Sequence, residues 1–329
     1  MLIDTFGRTI DYLRVSVTKQ CNFRCQYCMP HTPKDFVDKS ALPLPQMLEF
    51  IKIAIDNGIK KIRITGGEPL LRPDLSEFIG GIFTYKKDIE ITLTTNAFFL
   101  YKYAASLKDA GLSRINISLD SLKPQRIKEI SQCDALPQIL KGIDEAHRVG
   151  LGIKINMVPL LGINDDEIID ILEFGKQNGY LVRFIEFMEN THANAAIKGL
   201  SSKDILRIIA TKYSFELLQK EHFGPAKIYA LSQNAPHTQK AYAFGIISPH
   251  EDDFCQSCNR IRLTSDGVIC PCLYYQESVS LKEAILANDT AQMQKLLEIA
   301  IKNKPEKNQW DTNMVESKHS ARAFYYTGG

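Results

Sequence analysis

Three cysteines, Cys21, Cys25 and Cys28, share one short loop, and four more, Cys255, Cys258, Cys270 and Cys272, gather near the other end of the chain. Only Cys133 stands apart, in Ser131-Gln132-Cys133-Asp134, where it reads as a small apolar filler. Soft thiolates grouped in this way select zinc, copper(I) or iron–sulfur clusters. The first loop, Cys21-x3-Cys25-x2-Cys28, offers three thiolates where a structural zinc site or an ordinary cluster takes four. A cubane on three cysteines leaves one iron open for chemistry; the competing reading is a zinc site completed by His31. The second group, Cys255-x2-Cys258-x13-Cys272, admits a cluster or zinc, and Cys270 lies too near Cys272 for the second pair of a zinc ribbon. Basic residues sit close by: Arg14 before the first group, Arg63, Lys154, and Arg260 with Arg262 just after Cys258. Guanidinium forks suit phosphate oxygens, so these would form an anion pocket if they converged, and a set of solvated charges if they did not.

Something must bring these residues together. Runs rich in β-branched residues at 12–17, 61–65, 89–95, 114–119, 152–158 and 181–187 alternate with helical spacing at 45–57, 74–85, 99–110, 136–149, 165–178 and 202–212. Six β-then-α units imply a parallel sheet with crossover helices. The distinctive polar residues come at or just after the strand ends: the cysteine loop, Thr65-Gly66-Gly67-Glu68-Pro69, Thr94-Thr95-Asn96, Ser118-Leu119-Asp120, Lys154 with Asn156, and Arg183 with Glu186 and Met188. Barrels of β/α units build their active sites at this face. The fold class expected is therefore α/β, an incomplete (β/α)6 TIM-like barrel over residues 1–215. A smaller β-containing region, 216–329, follows, with short strands at 226–231, 241–247 and 260–264 and helices at 281–286 and 291–302.

Composition limits the function classes. The 329 residues are 44% apolar and 24% charged with a net charge of +2, which argues against a dedicated nucleic-acid or anionic-membrane surface. No secretory pattern opens the chain and no apolar run is long enough to span a bilayer, so a cytoplasmic protein with reduced thiols is expected.

The run Cys21-Asn22-Phe23-Arg24-Cys25-Gln26-Tyr27-Cys28-Met29-Pro30 resembles the signature loop of radical S-adenosylmethionine enzymes, and Gly66-Gly67-Glu68-Pro69 resembles their methionine-binding motif. More narrowly, the chain is similar to the GTP 3′,8-cyclases of molybdenum cofactor biosynthesis. That likeness rests on Leu13-Arg14-Val15-Ser16-Val17-Thr18, Lys61-Ile62-Arg63-Ile64-Thr65, Gly162-Ile163-Asn164-Asp165-Asp166-Glu167, Gly224-Pro225-Ala226, the segment from Phe254 to Thr264, and the Gly-Gly end. The resemblance implies two 4Fe–4S clusters, one on Cys21, Cys25 and Cys28 and one on Cys255, Cys258 and Cys272, leaving Cys270 a bystander. S-adenosylmethionine would bind the open iron, with Tyr27, Gly67, Ser118 and Met188 at its contact positions. Reductive cleavage would give a 5′-deoxyadenosyl radical that takes the 3′ hydrogen of GTP, and the C3′ radical would attack guanine C8. Arg14, Arg63, Thr94, Lys154, Arg260, Ile261 and Arg262 match GTP-binding positions, and Gly328 with Gly329 would assist the radical step. It further implies an electron donor whose identity the sequence leaves open, a cyclic pyranopterin monophosphate synthase downstream, and a homodimer among the assemblies allowed.

Three stretches depart from the family pattern: Asn96-Ala97 where Asn-Gly is usual, Lys19-Gln20 where Asp-Arg is common, and the tail Ala323-Phe324-Tyr325-Tyr326-Thr327. None is expected to touch a cluster ligand. Two rivals stay open, a peptide-modifying radical enzyme with an auxiliary cluster and a non-catalytic zinc-binding module.

Overall fold

The computed structural model describes residues 1–29, 31–32, 36–189, 193–218, 225–232, 241–251, 253–275, 277–307 and 323–328. Its first strands are β1 (Tyr12–Ser16), β2 (Lys61–Thr65), β3 (Glu90–Thr95), β4 (Arg114–Ser118), β5 (Gly152–Met157) and β6 (Leu181–Ile185), each parallel to the next. The chain returns between and after them through α1 (Leu44–Asp56), α2 (Leu75–Tyr85), α3 (Leu100–Asp109), α4 (Pro124–Ser131), α5 (Leu136–Arg148), α6 (Ile168–Asn178) and α7 (Ser202–Ala210).

Strand periodicity explains why a polar cavity fits inside an apolar shell. Successive side chains of a strand point to opposite faces. Leu13, Val15, Ile62, Ile64, Ile115 and Ile117 fall on one face and join the helices in a single buried core. The intervening Arg14, Arg63, Thr94, Ser118, Asn156 and Arg183 turn inward and line a common cavity. The helices match this arrangement. In α1, Met47, Phe50, Ile51, Ala54 and Ile55 recur at helical spacing on the buried side, and prolines in its first turn forfeit no hydrogen bond.

From residue 215 onward come β7 (Phe215–Leu217), β8 (Lys227–Leu231), β9 (Ala243–Ile247), α8 (Asp253–Gln256), β10 (Arg260–Leu263), β11 (Val268–Cys270), β12 (Val279–Ser280), α9 (Lys282–Leu286), α10 (Thr290–Lys302) and α11 (Phe324–Thr327). Among the described residues all strands form one sheet, in the order β12-β11-β10-β1-β2-β3-β4-β5-β6-β9-β8-β7. The family resemblance implies a barrel closed at one side by the C-terminal region. In the structure it serves both edges, β10 adding in parallel to β1 and β9 in parallel to β6. Antiparallel β11–β12 and β8–β7 then continue outward, so neither edge of the parallel wall is left unpaired.

Candidate functional site

The loop that follows β1 is held from three directions. Gly67 donates its amide to Thr18 O at 2.7 Å and Glu68 to Gln20 O at 2.8 Å, pinning the Gly-Gly-Glu-Pro turn to the approach of Cys21. The backbones are so close that a Cβ on Gly67 would stand 2.2 Å from Gln20 O. Buried Arg24 donates from Nη1 to the carbonyls of Cys21 and Phe23 and from Nε to Thr32 O. Arg24 and Gln26 also donate backbone amides to Ser131 and Ile130 at the end of α4.

Cys21, Cys25 and Cys28 all line the cavity, as do Tyr27, Gly67, Ser118 and Met188. Burial pushes the Cys21 and Cys28 thiols up to about 12 and raises Cys25 well above the usual thiol range. Unligated thiolates here are therefore disfavoured, and a bound cationic metal centre would supply the missing compensation. Glu68 is buried as well; Thr95 Oγ1 donates to its Oε1 at 2.7 Å and the Asn96 amide to its Oε2 at 2.8 Å. Burial still raises Glu68 to about 7 despite these donors. Tyr27 donates its hydroxyl to Asp120 Oδ2 at 2.6 Å, and Asp120 Oδ1 accepts from the Val158 amide at 3.0 Å.

The second thiol group reaches the same cavity, about 320 Å³ in volume, through Cys255, Cys258 and Cys272. Cys270 is fully buried in β11 and is not among the lining residues. Lys304 brings its Nζ to 3.4 Å from Cys258 Sγ, where it also donates to Arg260 O at 2.9 Å and Pro271 O at 2.8 Å. Burial raises the Cys258 thiol, but the charges of Arg260 and Lys304 outweigh it and bring the group down to about 6. Arg8 fastens this loop to the N-terminus, donating from Nη1 to Cys255 O at 3.0 Å.

The donor chemistry fits iron–sulfur clusters. All eight cysteines are free. Among the described residues no three His, Cys, Asp or Glu side chains are placed to share one metal ion, whereas a cubane spreads its thiolates over separate irons. His31, the rival fourth ligand, is exposed and outside the cavity lining.

Register explains how the arginines converge. Tyr12 lies opposite Arg260, Leu13 opposite Ile261 and Arg14 opposite Arg262 across β1 and β10, while Arg14 faces Arg63 across β1 and β2. Arg14, Arg63, Arg183, Arg260 and Arg262 consequently all line the cavity. Burial depresses Arg14 and Arg63, Arg183 to about 9 and Arg262 to about 10, and their mutual repulsion adds to it. Arg63 Nε and Thr94 Oγ1 are buried with no hydrogen-bond partner. Such atoms are costly unless a ligand satisfies them.

Three predicted positions sit differently. Ile261 packs in the apolar core, so any ligand contact it makes is through its backbone. Lys154 lies one inward step before Asn156 and outside the lining, close to the charges of Arg114, Arg183, Lys61 and Arg63. Gly328 is outside the lining too, in a left-handed conformation (φ 70°) against Thr65. Arg262 Nη1 donates to its carbonyl at 3.2 Å. Gly329 lies outside the described residues. One expectation is corrected: a departing stretch does touch a ligand, because Asn96 Nδ2 donates to Cys21 Sγ at 3.9 Å, and Tyr325 of the tail lines the cavity with Cys28, whose thiol its backbone favours in the charged form. Sequence reasoning missed Lys304, for which a lone lysine after a helix gives no signal. It also left Asp120 and Arg183 as strand-end polar residues, although their place on inward positions pointed to the cavity.

The radical SAM superfamily profile matches residues 15–175, and the Molybdenum Cofactor Synthesis C profile matches residues 180–310. The chain is 58% identical to the GTP 3′,8-cyclase of Helicobacter pylori (strain J99) over the whole of both chains. It is 52% identical to that of Aliarcobacter butzleri and 50% to that of Campylobacter jejuni, again over full length. Among solved structures it is similar to Streptococcus suis SuiB bound to S-adenosylmethionine, with a TM-score of 0.60 at 19% identity, covering 84% of this chain and 64% of that one. That likeness carries the fold alone. The curated relatives, identical at half or more of their positions from end to end, carry the family: the chain belongs to the radical S-adenosylmethionine superfamily and, within it, to the GTP 3′,8-cyclases of molybdenum cofactor synthesis.

Proposed function

We propose that the protein joins ribose C3′ of GTP to guanine C8, giving (8S)-3′,8-cyclo-7,8-dihydroguanosine 5′-triphosphate. In this reading Cys21, Cys25 and Cys28 hold one 4Fe–4S cluster and Cys255, Cys258 and Cys272 a second. When bound, the first supplies the electron that splits the sulfonium of S-adenosylmethionine and thereby the radical that removes the 3′ hydrogen. The observation that carries the reading is one cavity lined by both cysteine triads and five arginines.

The chain's own residues bind, orient and keep water out. Tyr27, Gly67, Ser118 and Met188 take S-adenosylmethionine at the first triad, the close-packed Gly67 turn offering backbone where a side chain would not fit. Arg14, Arg63 and Arg262 hold the triphosphate, whose oxygens offset the burial of their charges. Thr94 Oγ1 donates to the same ligand, Lys154 adds charge behind it, and Arg260 with the Ile261 backbone borders the second cluster. Gly328 and Gly329 assist the radical step from the tail. Residues 1–215 form the barrel and 216–329 the region that carries the second cluster. We further propose a cytoplasmic setting, an external electron donor, a cyclic pyranopterin monophosphate synthase as consumer of the product, and a homodimer. No helix among the described residues is long and apolar enough to cross a membrane.

Iron and acid-labile sulfide after anaerobic purification test the cluster assignment: about eight irons per chain are expected for two clusters. Zinc with little iron would overturn it. Cys21→Ala, Cys25→Ala and Cys28→Ala are each expected to abolish 5′-deoxyadenosine formation, and wild-type formation in any of them removes the first triad from the mechanism.

A further inference from the structure

Two of the stretches that depart from the family pattern, Lys19 and the tail residue Tyr326, meet in space. Lys19 Nζ stands 4.7 Å from the centroid of the Tyr326 ring. The same ammonium is paired with Asp266 Oδ2 at 2.8 Å and donates to Ser40 Oγ at 2.9 Å. Its backbone is fixed too: the Lys19 amide donates to Asp38 Oδ2 at 2.7 Å, an oxygen that also accepts from Ser265 Oγ at 2.8 Å. Asp266 is held by Thr264, whose Oγ1 donates to its Oδ1 at 2.6 Å. The Tyr326 hydroxyl reaches Asp266 Oδ2 only at 3.5 Å, so the ring face is the stronger contact. The pair is largely screened from water, with side-chain exposures of 17% for Lys19 and 21% for Asp266.

We propose that Lys19 and Asp266 clasp the Tyr326 ring and thereby set the register of the C-terminal segment over the cavity, making Tyr326 a positioning residue for the reaction. The proposal rests on the reading above in which the Gly-Gly end assists that reaction. Tyr326 sits in the single turn α11, and its neighbours make the contacts that register would control. Tyr325 lines the cavity together with Cys28, and its backbone favours the charged form of that thiol. Thr327 and Gly328 offer their carbonyls to Arg262 Nη1 at 3.4 and 3.2 Å. A Cβ on Gly328 would stand 2.1 Å from Thr65 Cγ2, so the tail can advance only where glycine stands. One ring contact at position 326 therefore places Tyr325 in the cavity with the first triad and the Gly328 carbonyl at the arginine wall.

Hydrogen exchange of the C-terminal peptide, read by mass spectrometry on the cluster-loaded full chain, tests the clasp apart from activity. Tyr326→Leu and Lys19→Gln are expected to speed exchange across residues 323–328 about tenfold. Tyr326→Phe and Lys19→Arg, which keep the ring and the cation, are expected to exchange as wild type with unchanged iron content. Wild-type exchange in Tyr326→Leu and Lys19→Gln, or equal acceleration in Tyr326→Phe, overturns the clasp. Because Tyr326→Leu loses the ring that Lys19 holds, it is expected to yield more 5′-deoxyadenosine per cyclised product than wild type, and wild-type coupling would overturn the positioning role. Deleting Gly328 and Gly329 separates the two readings: undiminished cyclisation would remove the tail from the reaction and leave the exchange result standing.

Discussion

Lys154 is the inward-facing base whose charge is most easily lost. Burial pushes it down to about 7, with the Arg114 and Arg183 charges adding to the effect. A triphosphate binds the protonated form, so in the free protein this favourable charge is present below pH 7 and disappears as pH rises through it. Apparent GTP affinity is expected to fall above that point, at most about tenfold per pH unit. Lys154→Arg should flatten the dependence, since a guanidinium stays protonated; calorimetric titration from about pH 6 to about pH 9 checks both. Lys304 is held by two backbone carbonyls beside the Cys258 thiol. Lys304→Met is expected to lower iron from about eight towards about four per chain. Cleavage of S-adenosylmethionine at the first triad should survive, and full iron retention would show that Cys258 needs no such neighbour. Arg14 and Arg63 were legible in the sequence through the family resemblance, and the alternation of β1 and β2 in the structure aims them inward. Lys304 was not, because its partners come from Cys258, Arg260 and Pro271, and nothing in its own neighbourhood marks it.

At the scale of elements, the six parallel strands follow directly from β-branched runs at regular intervals, and the long helices from their apolar spacing. The shorter pieces carry too few residues for a period to show. The strands β7, β11 and β12 exist because a neighbouring edge offers hydrogen bonds, and α4 buries only Ile127, Ile130 and Ser131 on an otherwise polar turn of chain. The Asn96-Ala97 departure also gains a physical meaning. Ala97 is buried at φ 62°, a left-handed conformation that favours glycine, and its carbonyl would stand 2.5 Å from a Cβ at Gly142 of α5. The turn holding Gly67 tolerates less. Gly67→Ala is expected to cost about 1–3 kcal/mol through overpacking against Gln20. Urea denaturation measures the cost, and wild-type stability would mean that the turn yields.

The whole molecule depends on its last third twice over, since β9 and β10 cover opposite edges of the six-stranded wall. A chain ending at residue 215 would expose the outer edges of both β1 and β6, and exposed edges pair with other chains. Such a fragment is expected to elute as large oligomers on size-exclusion chromatography, and a stable monomer would show that the barrel stands alone. The same pairing also imposes a schedule during synthesis. The β1 strand leaves the ribosome among the first elements, while its partner β10 follows only after most of the chain has emerged. Pairing across such a separation forms late, because loop closure must precede its reward. The cysteine loop after β1 has its supports on β2, β3 and α4 early in translation, but the wall that sets Arg14 beside Arg262 exists only in the nearly completed polypeptide. On the proposed function, a nascent chain therefore possesses the loop that generates the radical before it possesses the place where substrate would meet it.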